Sequence, residues 1–297
     1  MKLSETSNSY KVPLRVLSVT PTRDGYVMPS RRLPDKHIRL FAGKTLDEWC
    51  MIQMATNRCI ARQVFVCETK AHVERLIPIA KRWGVELIVR PRDMLHPAND
   101  TGGLPTRWGV DWAMEEARDQ GDWYGLTTTP FVVTPCRRPG LFDELHAYYL
   151  TEINNPDYQY GYPCVMGMVP DPVGWFWEDR GPGTPAQMVL GQTGRAEFNQ
   201  LPRAYTGIMS HWIAASWAWT HFQDFVMSRA KVKGLGEYDV IPFRVEEWED
   251  LHIDTEEQWQ RAEYEFLRHF GGSGEEAEKR YLEYRKTWNQ ERDGGET

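Results

Sequence analysis

The first half of the chain alternates between strand patterns and helix patterns, with short connections between them. An apolar run at residues 14 to 19 predicts a first strand, and residues 46 to 60 carry apolar side chains at helical spacing. Two strand–helix pairs follow, and a strand over Tyr124 to Thr128 closes the series. Because strands that alternate with helices form parallel sheets, we predict an α/β fold with a mostly parallel, Rossmann-like sheet and helices on both faces.

The regular alternation weakens in the second half, where prolines interrupt short apolar segments. We expect this region to extend the sheet with mixed strands and to contribute a long loop over residues 170 to 203. A capping box from Thr255 to Gln258 then predicts a helix that runs to about His269 and closes the globular domain.

Cations are concentrated in the connection between the first predicted strand and the first predicted helix. Open α/β sheets bind ligands at the carboxyl ends of their strands, and this connection starts at such an end. Its lysine and arginine side chains could bind triphosphate oxygens, although an ordinary solvated basic loop has the same composition. The cationic residues are Arg23, Arg31, Arg32, Lys36, Arg39 and Lys44.

Three segments of the sequence resemble, in the same order, the signature segments of one enzyme family. The first runs from Pro21 through Lys36 to Ala42-Gly43-Lys44, the second from Arg90-Pro91 to Asp100-Thr101, and the third from Ile253 to Glu257. Together they resemble the sugar-acid cytidylyltransferases, the enzymes that make CMP-activated sialic, legionaminic, pseudaminic and 3-deoxy-manno-octulosonic acids. The resemblance extends over roughly residues 12 to 270.

The resemblance implies a nucleotidyltransferase (GT-A-like) sheet and a nucleotidyl transfer reaction. In that reaction a hydroxyl group of a sugar acid attacks the α-phosphorus of CTP and releases pyrophosphate. Lys36 and Arg23 match the family's phosphate-neutralising cations, and Asp254 matches a metal-binding aspartate, so these three are the catalytic candidates. The nucleotide-binding candidates are Pro21, Arg23, Arg32, Lys36, Arg90, Asp100 and Thr101.

The metal motif departs from the family pattern. Asp254 matches the second aspartate of an Asp-x-Asp pair, but His252 replaces the first. Asp250 lies two residues earlier, and alternation along an extended strand would place all three side chains on one face. We therefore expect Mg²⁺ or Mn²⁺ as the cofactor, while the histidine would also suit zinc. The alternative is a strand-end aspartate beside a surface histidine.

Two residues are candidates for binding the acceptor, Thr128 and Tyr205. Thr128 ends the fourth predicted strand, in the segment Leu126 to Pro130 that stands where the family has Gln-Pro-Thr-Ser-Pro, and the substrate-contacting glutamine of the family is missing from it. Tyr205 ends a segment that resembles the Leu-Pro-x-x-Tyr of the family, in the region that contacts the sugar acid.

Two other functions fit the same fold. A glycosyltransferase would use a nucleotide-sugar donor and would place an Asp-x-Asp motif after a middle strand, but Thr127 to Pro130 offer no carboxylate there. A degenerate nucleotidyltransferase fold could instead act as a non-catalytic scaffold or interaction protein. The replacement at His252 favours the scaffold, whereas the retained cations and Asp254 argue against it.

Composition excludes several classes of partner. The chain has 297 residues and a formal net charge of −7, which argues against nucleic-acid binding, because that requires clustered lysine and arginine. No apolar run reaches the length of about 18 residues that predicts a membrane span. Five cysteines without paired spacing favour a reducing cytoplasm. Relatives of the family are commonly dimers, so we expect a cytoplasmic homo-oligomer.

These patterns divide the chain into three parts. Residues 1–12 form a polar amino-terminal extension. Residues 13–270 form the nucleotidyltransferase domain, with a nucleotide-binding half at 13–153 and an acceptor or oligomer half at 154–270. Residues 271–297 contain a glycine-rich flexible linker and a charged helix, which could be either a surface helix or a dimer arm.

Overall fold

The computed structural model describes residues 14–26, 32–91, 103–154, 163–170, 176–178, 187–189, 204–215 and 239–293. Within these ranges the helices are α1 (Leu46–Ala55), α2 (Lys70–Trp83), α3 (Gly103–Asp119), α4 (Leu141–Ile153), α5 (Glu256–His269) and α6 (Gly274–Asp293). The strands are β1 (Val16–Pro21), β2 (Ile60–Cys67), β3 (Glu86–Val89), β4 (Leu126–Thr128), β5 (Pro163–Pro170), β6 (Phe176–Glu178), β7 (Gln187–Val189), β8 (Ala204–Ala215) and β9 (Asp239–Arg244). No helix in these ranges has both the length and the apolar character needed to cross a membrane. The predicted amino-terminal extension and most of the predicted loop over residues 170 to 203 lie outside the described residues.

The strands of the described ranges form one mixed sheet in the order β3-β2-β1-β4-β8-β5-β9. β1 lies between β2 and β4 and is parallel to both, and β3 is parallel to β2. β8 is antiparallel to β4 and β5, while β9 is parallel to β5. β6 pairs with β7 and with β8. This mostly parallel α/β sheet confirms the predicted fold class.

The four parallel strands of the first half end at the same edge of the sheet. Pro21, Cys67, Val89 and Thr128 are the last residues of β1, β2, β3 and β4. Because these strands run in the same direction, the residues that follow them are brought together. The connection from β1 to α1, which carries the cations, therefore starts at the edge where such sheets bind ligands.

Different helices cover the two faces of the sheet. α3 covers one face, where Val110 and Ala113 pack with apolar side chains of β1 and β2. α1, α2 and α4 form the core on the other face together with α5 and α6. α3 approaches the sheet closely at Gly109, since a Cβ atom there would overlap the side chains of Val66 and Val19.

Replacing Gly109 with alanine should lower the free energy of unfolding by about 1–3 kcal/mol, because the added methyl group overpacks the contact between α3 and the sheet. Urea unfolding followed by circular dichroism measures the difference. Glu115→Ala is the control, because Glu115 is exposed on the same helix and its loss should change stability by less than about 0.5 kcal/mol. Equal stability of Gly109→Ala and wild type would show that α3 can move away from the sheet without cost.

The structure contains a helix, α4, that the sequence patterns above do not predict. Its buried residues Leu141, Leu145 and Tyr149 recur at helical spacing, so the periodic signal is present in the sequence. The helix begins directly after Gly140, whose φ angle of 79° lies in the left-handed region. α4 packs in the same core as α1 and α6.

The helix α6 packs against the domain, and the turn before it is not a flexible linker. Gly271 and Gly272 have φ angles of 87° and 91°, which let the chain reverse directly after α5. Gly274 lies so close to Ala42 that a Cβ atom would overlap the Ala42 carbonyl oxygen. Tyr281 of α6 is fully buried. The predicted linker is therefore corrected to a packed turn, in which glycine permits close contact and a tight reversal.

Tyr281 joins a buried polar network next to α1. Its hydroxyl group donates to the carbonyl oxygen of Arg137 and accepts a hydrogen bond from Nε2 of Gln53 at 3.1 Å. The buried Arg137 guanidinium donates to Oε1 of Gln53 at 2.8 Å and to the carbonyl oxygen of Phe131 at 2.7 Å. The ring of Tyr281 stacks on Phe270 with a centroid distance of 5.3 Å. These contacts make α6 part of the core.

The five cysteines are all free thiols. Burial raises the pKa of Cys50 to about 11, which keeps this thiol protonated near neutral pH. A buried, protonated thiol packs as a small apolar side chain and is a poor nucleophile.

Candidate functional site

Lys36 and Asp254 form an ion pair across the candidate site. It links the connection from β1 to α1, called the basic loop below, to the segment before α5. Nζ of Lys36 lies 2.8 Å from Oδ1 of Asp254 and donates to the carbonyl oxygen of Ile253 at 2.9 Å. The side chain of Lys36 is only 7% exposed, whereas that of Asp254 is 24% exposed. Two catalytic candidates that are 218 positions apart in the sequence are therefore in direct contact.

The backbone around Asp254 is held from both sides. The N–H of Ile253 donates to the carbonyl oxygen of Val133 at 2.8 Å. The hydroxyl of Thr255 accepts from the N–H of Gln258 at 3.3 Å, and the Gln258 side chain accepts from the N–H of Thr255 at 3.0 Å and from that of Asp254 at 2.8 Å. This is the predicted capping box, and α5 begins here. It holds the Asp254 carboxylate at the amino end of α5, where the helix dipole favours a negative charge.

Arg32 and His252 complete the surroundings of Asp254. Nη1 of Arg32 donates to Oδ2 of Asp254, and Nε2 of His252 lies 3.6 Å from the same oxygen. Burial would raise the pKa of Asp254, but the hydrogen bond and charge of Lys36, aided by His252 and Arg32, lower it below its usual value. Burial lowers the pKa of His252, and Asp254 only partly opposes this effect. At neutral pH the group therefore holds two cations, one carboxylate and a neutral imidazole.

The start of the basic loop is anchored to α1 through Thr22. Its hydroxyl group donates to Oδ1 of Asp47, in the first turn of α1. Nε2 of His72, from α2, lies 3.8 Å from Oδ2 of the same carboxylate. All three side chains are buried. These contacts fix the backbone of Pro21 and Arg23, the candidates on either side of Thr22.

His37, the neighbour of Lys36, is a buried and neutral histidine. Burial lowers its pKa to about 4, against the opposing charge of Asp47, and the charges of Lys36 and Arg23 act in the same direction as burial. Its side chain is well inside the protein, and Nδ1 has no hydrogen-bond partner in the part of the chain that the structure describes. A neutral imidazole therefore lies beside the cations of the loop.

The stability of the protein should fall as the pH is lowered from about 6.5 to 4, in part because of His37. Its folded-state pKa of about 4 lies below the ordinary value of 6.5, so the unfolded chain binds a proton in this interval that the folded chain does not. We expect this contribution to reach about 3 kcal/mol at the lower end of the interval. Urea unfolding of wild type and His37→Asn at both ends of the interval measures it. His37→Asn should lose less stability, and an identical loss in both proteins would contradict the assignment.

Two buried carboxylates, Asp24 and Glu68, hold the loop after β1 against the ends of β2 and β3. Glu68 accepts from the N–H of Asp24 at 2.6 Å and pairs with Arg90. Asp24 accepts from the hydroxyl of Thr69 at 2.7 Å and pairs with Arg75 of α2. Burial would raise the pKa of Asp24, but the hydrogen bond from Thr69 and the charge of Arg75 lower it. Neither carboxylate is among the site candidates predicted from the sequence, although each follows closely after a strand.

Arg90 lies at the edge of the sheet, in a buried ion pair with Glu68. Its backbone N–H donates to the carbonyl oxygen of Cys67 at 2.9 Å, which continues the pairing of β2 and β3. The nucleotide-binding role expected for Arg90 stays a prediction. The candidates Asp100 and Thr101 lie outside the described residues.

Arg39 and Lys44 of the basic loop bind carboxylates of neighbouring helices. Arg39 donates to both carboxylate oxygens of Glu256 in α5, at 2.6 and 3.0 Å. Nζ of Lys44 lies 3.1 Å from a carboxylate oxygen of Glu48 in α1 and 3.1 Å from one of Glu278 in α6. These two cations therefore anchor the loop to the helices around it.

A tight turn over residues 41 to 44 ends the loop. Phe41 and Lys44 exchange backbone hydrogen bonds of 2.7 and 3.1 Å. Ala42 and Gly43 between them have φ angles of 48° and 84°, as a type I′ turn requires. The N–H of Ala42 donates to Oε1 of Glu263 in α5 at 2.6 Å. The helix α5 thus holds both this turn and Asp254.

The predicted metal ladder of Asp250, His252 and Asp254 does not form as expected. It assumed an extended strand, but Glu247–Asp250 is a 3-10 helix, in which alternate residues do not share a face. Both carboxylate oxygens of Asp254 already bind cations of the basic loop. Among the residues that the structure describes, no group of three His, Cys, Asp or Glu side chains could hold a metal ion. The residues present therefore do not fit a Mg²⁺ or Mn²⁺ ion held by this triad.

The acceptor candidates Thr128 and Tyr205 lie in neighbouring strands but far apart along them. Thr128 ends β4 and is fully buried, and its hydroxyl group has no partner among the described residues. β8 runs antiparallel to β4, with Ala214 opposite Thr127. From Ala214 to Tyr205 the strand extends about 30 Å at the ordinary rise per residue. The structure therefore does not bring the two candidates together.

Solved structures of cytidylyltransferases share this fold. A CMP:2-keto-3-deoxy-manno-octonic acid synthetase in complex with CTP aligns with a TM-score of 0.55 at 10% sequence identity, over 86% of this chain and 99% of that one. A 4-diphosphocytidyl-2C-methyl-D-erythritol synthase from Anaerococcus prevotii gives a TM-score of 0.50 at 12% identity, over 86% and 98% of the two chains. Another synthase of that name gives 0.52 at 11% identity, over 86% and 99%. No family model and no curated protein matches the sequence. The similarity at these identities is one of fold: the chain has the α/β nucleotidyltransferase-like fold of these enzymes.

Proposed function

We propose that the protein is a nucleotidyltransferase that transfers a nucleotidyl group from CTP to a hydroxyl group of a sugar acid and releases pyrophosphate. The observation that carries this proposal is the nearly buried ammonium group of Lys36, which lies in the loop at the carboxyl edge of the sheet and pairs with the carboxylate of Asp254. The fold shared with cytidylyltransferases and the sequence segments that resemble them support the same reaction.

Lys36 and Arg32 are the cations that would bind the triphosphate. Lys36 is a compact charge that the carbonyl oxygen of Ile253 holds in place, whereas Arg32 offers a planar fork suited to phosphate oxygens. Arg23 lies in the same loop and contributes a third positive charge. When the acceptor hydroxyl attacks the α-phosphorus, negative charge develops on the pyrophosphate leaving group. Cations held in advance at that position stabilise the transition state more than the ground state.

The buried carboxylates Asp24 and Glu68 act as positioning residues in this scheme. A carboxylate repels phosphate, so neither residue is expected to touch the nucleotide. Glu68 holds the Arg90 side chain, and its bond to the Asp24 N–H fixes the loop that carries Arg23. A site whose parts are fixed before binding loses less conformational entropy when the ligand arrives.

The finer parts of the proposal rest on the resemblance to the family. They are the choice of CTP, the sugar-acid acceptor, the homodimer, the cytoplasmic location and the absence of a nucleic-acid partner. The Mg²⁺ or Mn²⁺ cofactor stays a prediction. The side chains of Asp250, His252 and Asp254 do not by themselves fit a bound divalent ion. The binding experiment includes both metals for this reason.

Calorimetric titration of the four ribonucleoside triphosphates tests the proposal without knowledge of the acceptor. Each titration is made with Mg²⁺, with Mn²⁺ and with chelator, and we expect CTP to bind most tightly. A screen of sugar acids for pyrophosphate release then tests the acceptor. Release of a nucleoside diphosphate from a nucleotide sugar would favour the glycosyltransferase instead. Failure of every triphosphate to bind under all conditions would overturn the proposal and favour a scaffold.

A further inference from the structure

The carboxylate of Asp254 occupies the place where the proposed site would bind a phosphate group. Its Oδ1 lies 2.8 Å from Nζ of Lys36, and its Oδ2 accepts a hydrogen bond from Arg32. Carboxylate and phosphate oxygens bind lysine and arginine through the same charge-assisted hydrogen bonds. The two cations that would receive the triphosphate are thus already bound to an anion of the protein.

The charge around Asp254 favours an anion and disfavours a divalent cation. Lys36 and Arg32 contribute two positive charges against the one negative charge of Asp254. A Mg²⁺ ion at Asp254 would have to displace both cations and remain within a few ångströms of them. A triphosphate approaching the same group would be attracted by its net positive charge.

Lys36 and Asp254 differ in burial, and this difference would allow a phosphate group to replace the Asp254 carboxylate. Lys36 is almost inaccessible, so its charge needs an anion beside it at all times. The Asp254 carboxylate is partly exposed and can turn into solvent, where water solvates it. The capping box holds the Asp254 backbone, so only the side chain has to move.

We propose that Asp254 is an internal anion that positions Lys36 and Arg32 and gives way to the triphosphate, in place of the metal-ligand role that the resemblance implies. This inference rests on the proposed function, since it concerns the same phosphate site. Without ligand, Asp254 neutralises Lys36 and keeps it at the edge of the sheet. With ligand, phosphate oxygens take over both cations and the carboxylate turns outward.

The internal-anion role and the metal-ligand role predict opposite effects of the same substitution. An internal anion competes with phosphate, so its removal should tighten binding of the triphosphate. A metal ligand brings a divalent ion to the triphosphate, so its removal should weaken binding. The sign of the change therefore decides between the two roles.

Titration of inorganic tripolyphosphate and of CTP into wild type and Asp254→Asn, all in chelator, tests the proposal. We expect both ligands to bind wild type without metal and to bind Asp254→Asn about 3- to 10-fold more tightly. Weaker binding to Asp254→Asn, or binding to wild type only when Mg²⁺ is present, would overturn the proposal. Asp254→Ala is a second variant, and thermal unfolding followed by circular dichroism establishes that each variant is folded.

Glu256→Gln is the matched control. It removes one negative charge only two residues from Asp254, but the carboxylate of Glu256 pairs with Arg39 and not with Lys36. Its affinities should stay within about twofold of wild type, as expected for an exposed ion pair. An equal gain in Glu256→Gln and Asp254→Asn would reveal a general charge effect and would contradict the proposal.

Tripolyphosphate separates this inference from the proposed function. If Asp254→Asn tightens tripolyphosphate binding while CTP does not bind, the internal anion is supported and the cytidylyltransferase function fails. If tripolyphosphate binds neither protein in chelator, the internal-anion role is rejected. In that case the titration of CTP in the presence of Mg²⁺ decides the proposed function.

Discussion

Lys36→Ala should bind CTP at least about 100-fold more weakly than wild type while the fold is retained. Lys36 presents a nearly buried ammonium group at the edge of the sheet, where few water molecules can replace its contact with phosphate. A loss of about 2.7 kcal/mol gives this factor and lies in the range for a charge-assisted hydrogen bond in such surroundings. Titration calorimetry with CTP measures the effect, and Lys36→Arg should be intermediate because it keeps the charge but changes its shape.

Lys279→Ala is the control for Lys36→Ala. Lys279 is a 59% exposed lysine of α6 that pairs with the nearby carboxylates of Glu276 and Glu283. The variant has the same change in net charge and should bind CTP like wild type. In Lys36→Ala, Asp254 keeps Arg32 as a partner, so the variant is expected to remain folded. Wild-type affinity in Lys36→Ala would contradict the placement of the phosphates.

Tyr281→Ala should lower the free energy of unfolding by about 3–5 kcal/mol. Tyr281 is fully buried, and its ring stacks on Phe270, so truncation leaves a cavity between α6 and the rest of the core. It also removes a hydrogen-bond partner from the carbonyl oxygen of Arg137 and from Nε2 of Gln53. Urea unfolding measures the loss.

Two further variants separate the parts of this effect. Tyr281→Phe keeps the ring and removes only the hydroxyl group, and it should cost about 1–2 kcal/mol. Tyr264→Ala removes a 65% exposed tyrosine of α5 and should change stability by less than about 0.5 kcal/mol. A loss below about 1 kcal/mol in Tyr281→Ala would mean that α6 is only a surface helix.

The amino-terminal half of the fold was predictable because its elements carry local signals. The side chain of Thr45 caps α1, and in the second half the predicted capping box at Thr255 begins α5. Gly84 ends α2 with a φ angle of 69°, which is the conformation that favours glycine at a helix end. Each signal depends on a few neighbouring residues, so it can be found without knowledge of the tertiary structure.

The packing of α6 could not be predicted in the same way. Its sequence is mostly charged, and among its described side chains those of Ala277 and Tyr281 are fully buried. A narrow apolar stripe of this kind can pack on its own domain, on a second copy of the chain or on nothing. The outcome depends on surfaces formed by remote residues such as Gln53 and Arg137. Glycine at 271 and 272 is equally compatible with a flexible linker and with a tight turn.

The candidate site was predictable as a set of residues but not as a set of contacts. Lys36 and Asp254 were found separately, while their pairing depends on how α5 docks against the loop. The metal ladder assumed a repeat of two along an extended strand, but Asp250 lies in a 3-10 helix. Asp24 and Glu68 were missed because a buried carboxylate in a loop has the same sequence pattern as a solvated one.

The basic loop is held by residues that the ribosome adds much later. Lys36 contacts Ile253 and Asp254, and Lys44 contacts Glu278. During translation, β1 to β4 can pair while residues 253–278 are still unmade, but Lys36 and Arg39 then lack the carboxylates of Asp254 and Glu256 that hold them. A nascent chain should therefore acquire its affinity for nucleotide late and abruptly, when the segment that forms α5 and α6 leaves the ribosome and docks.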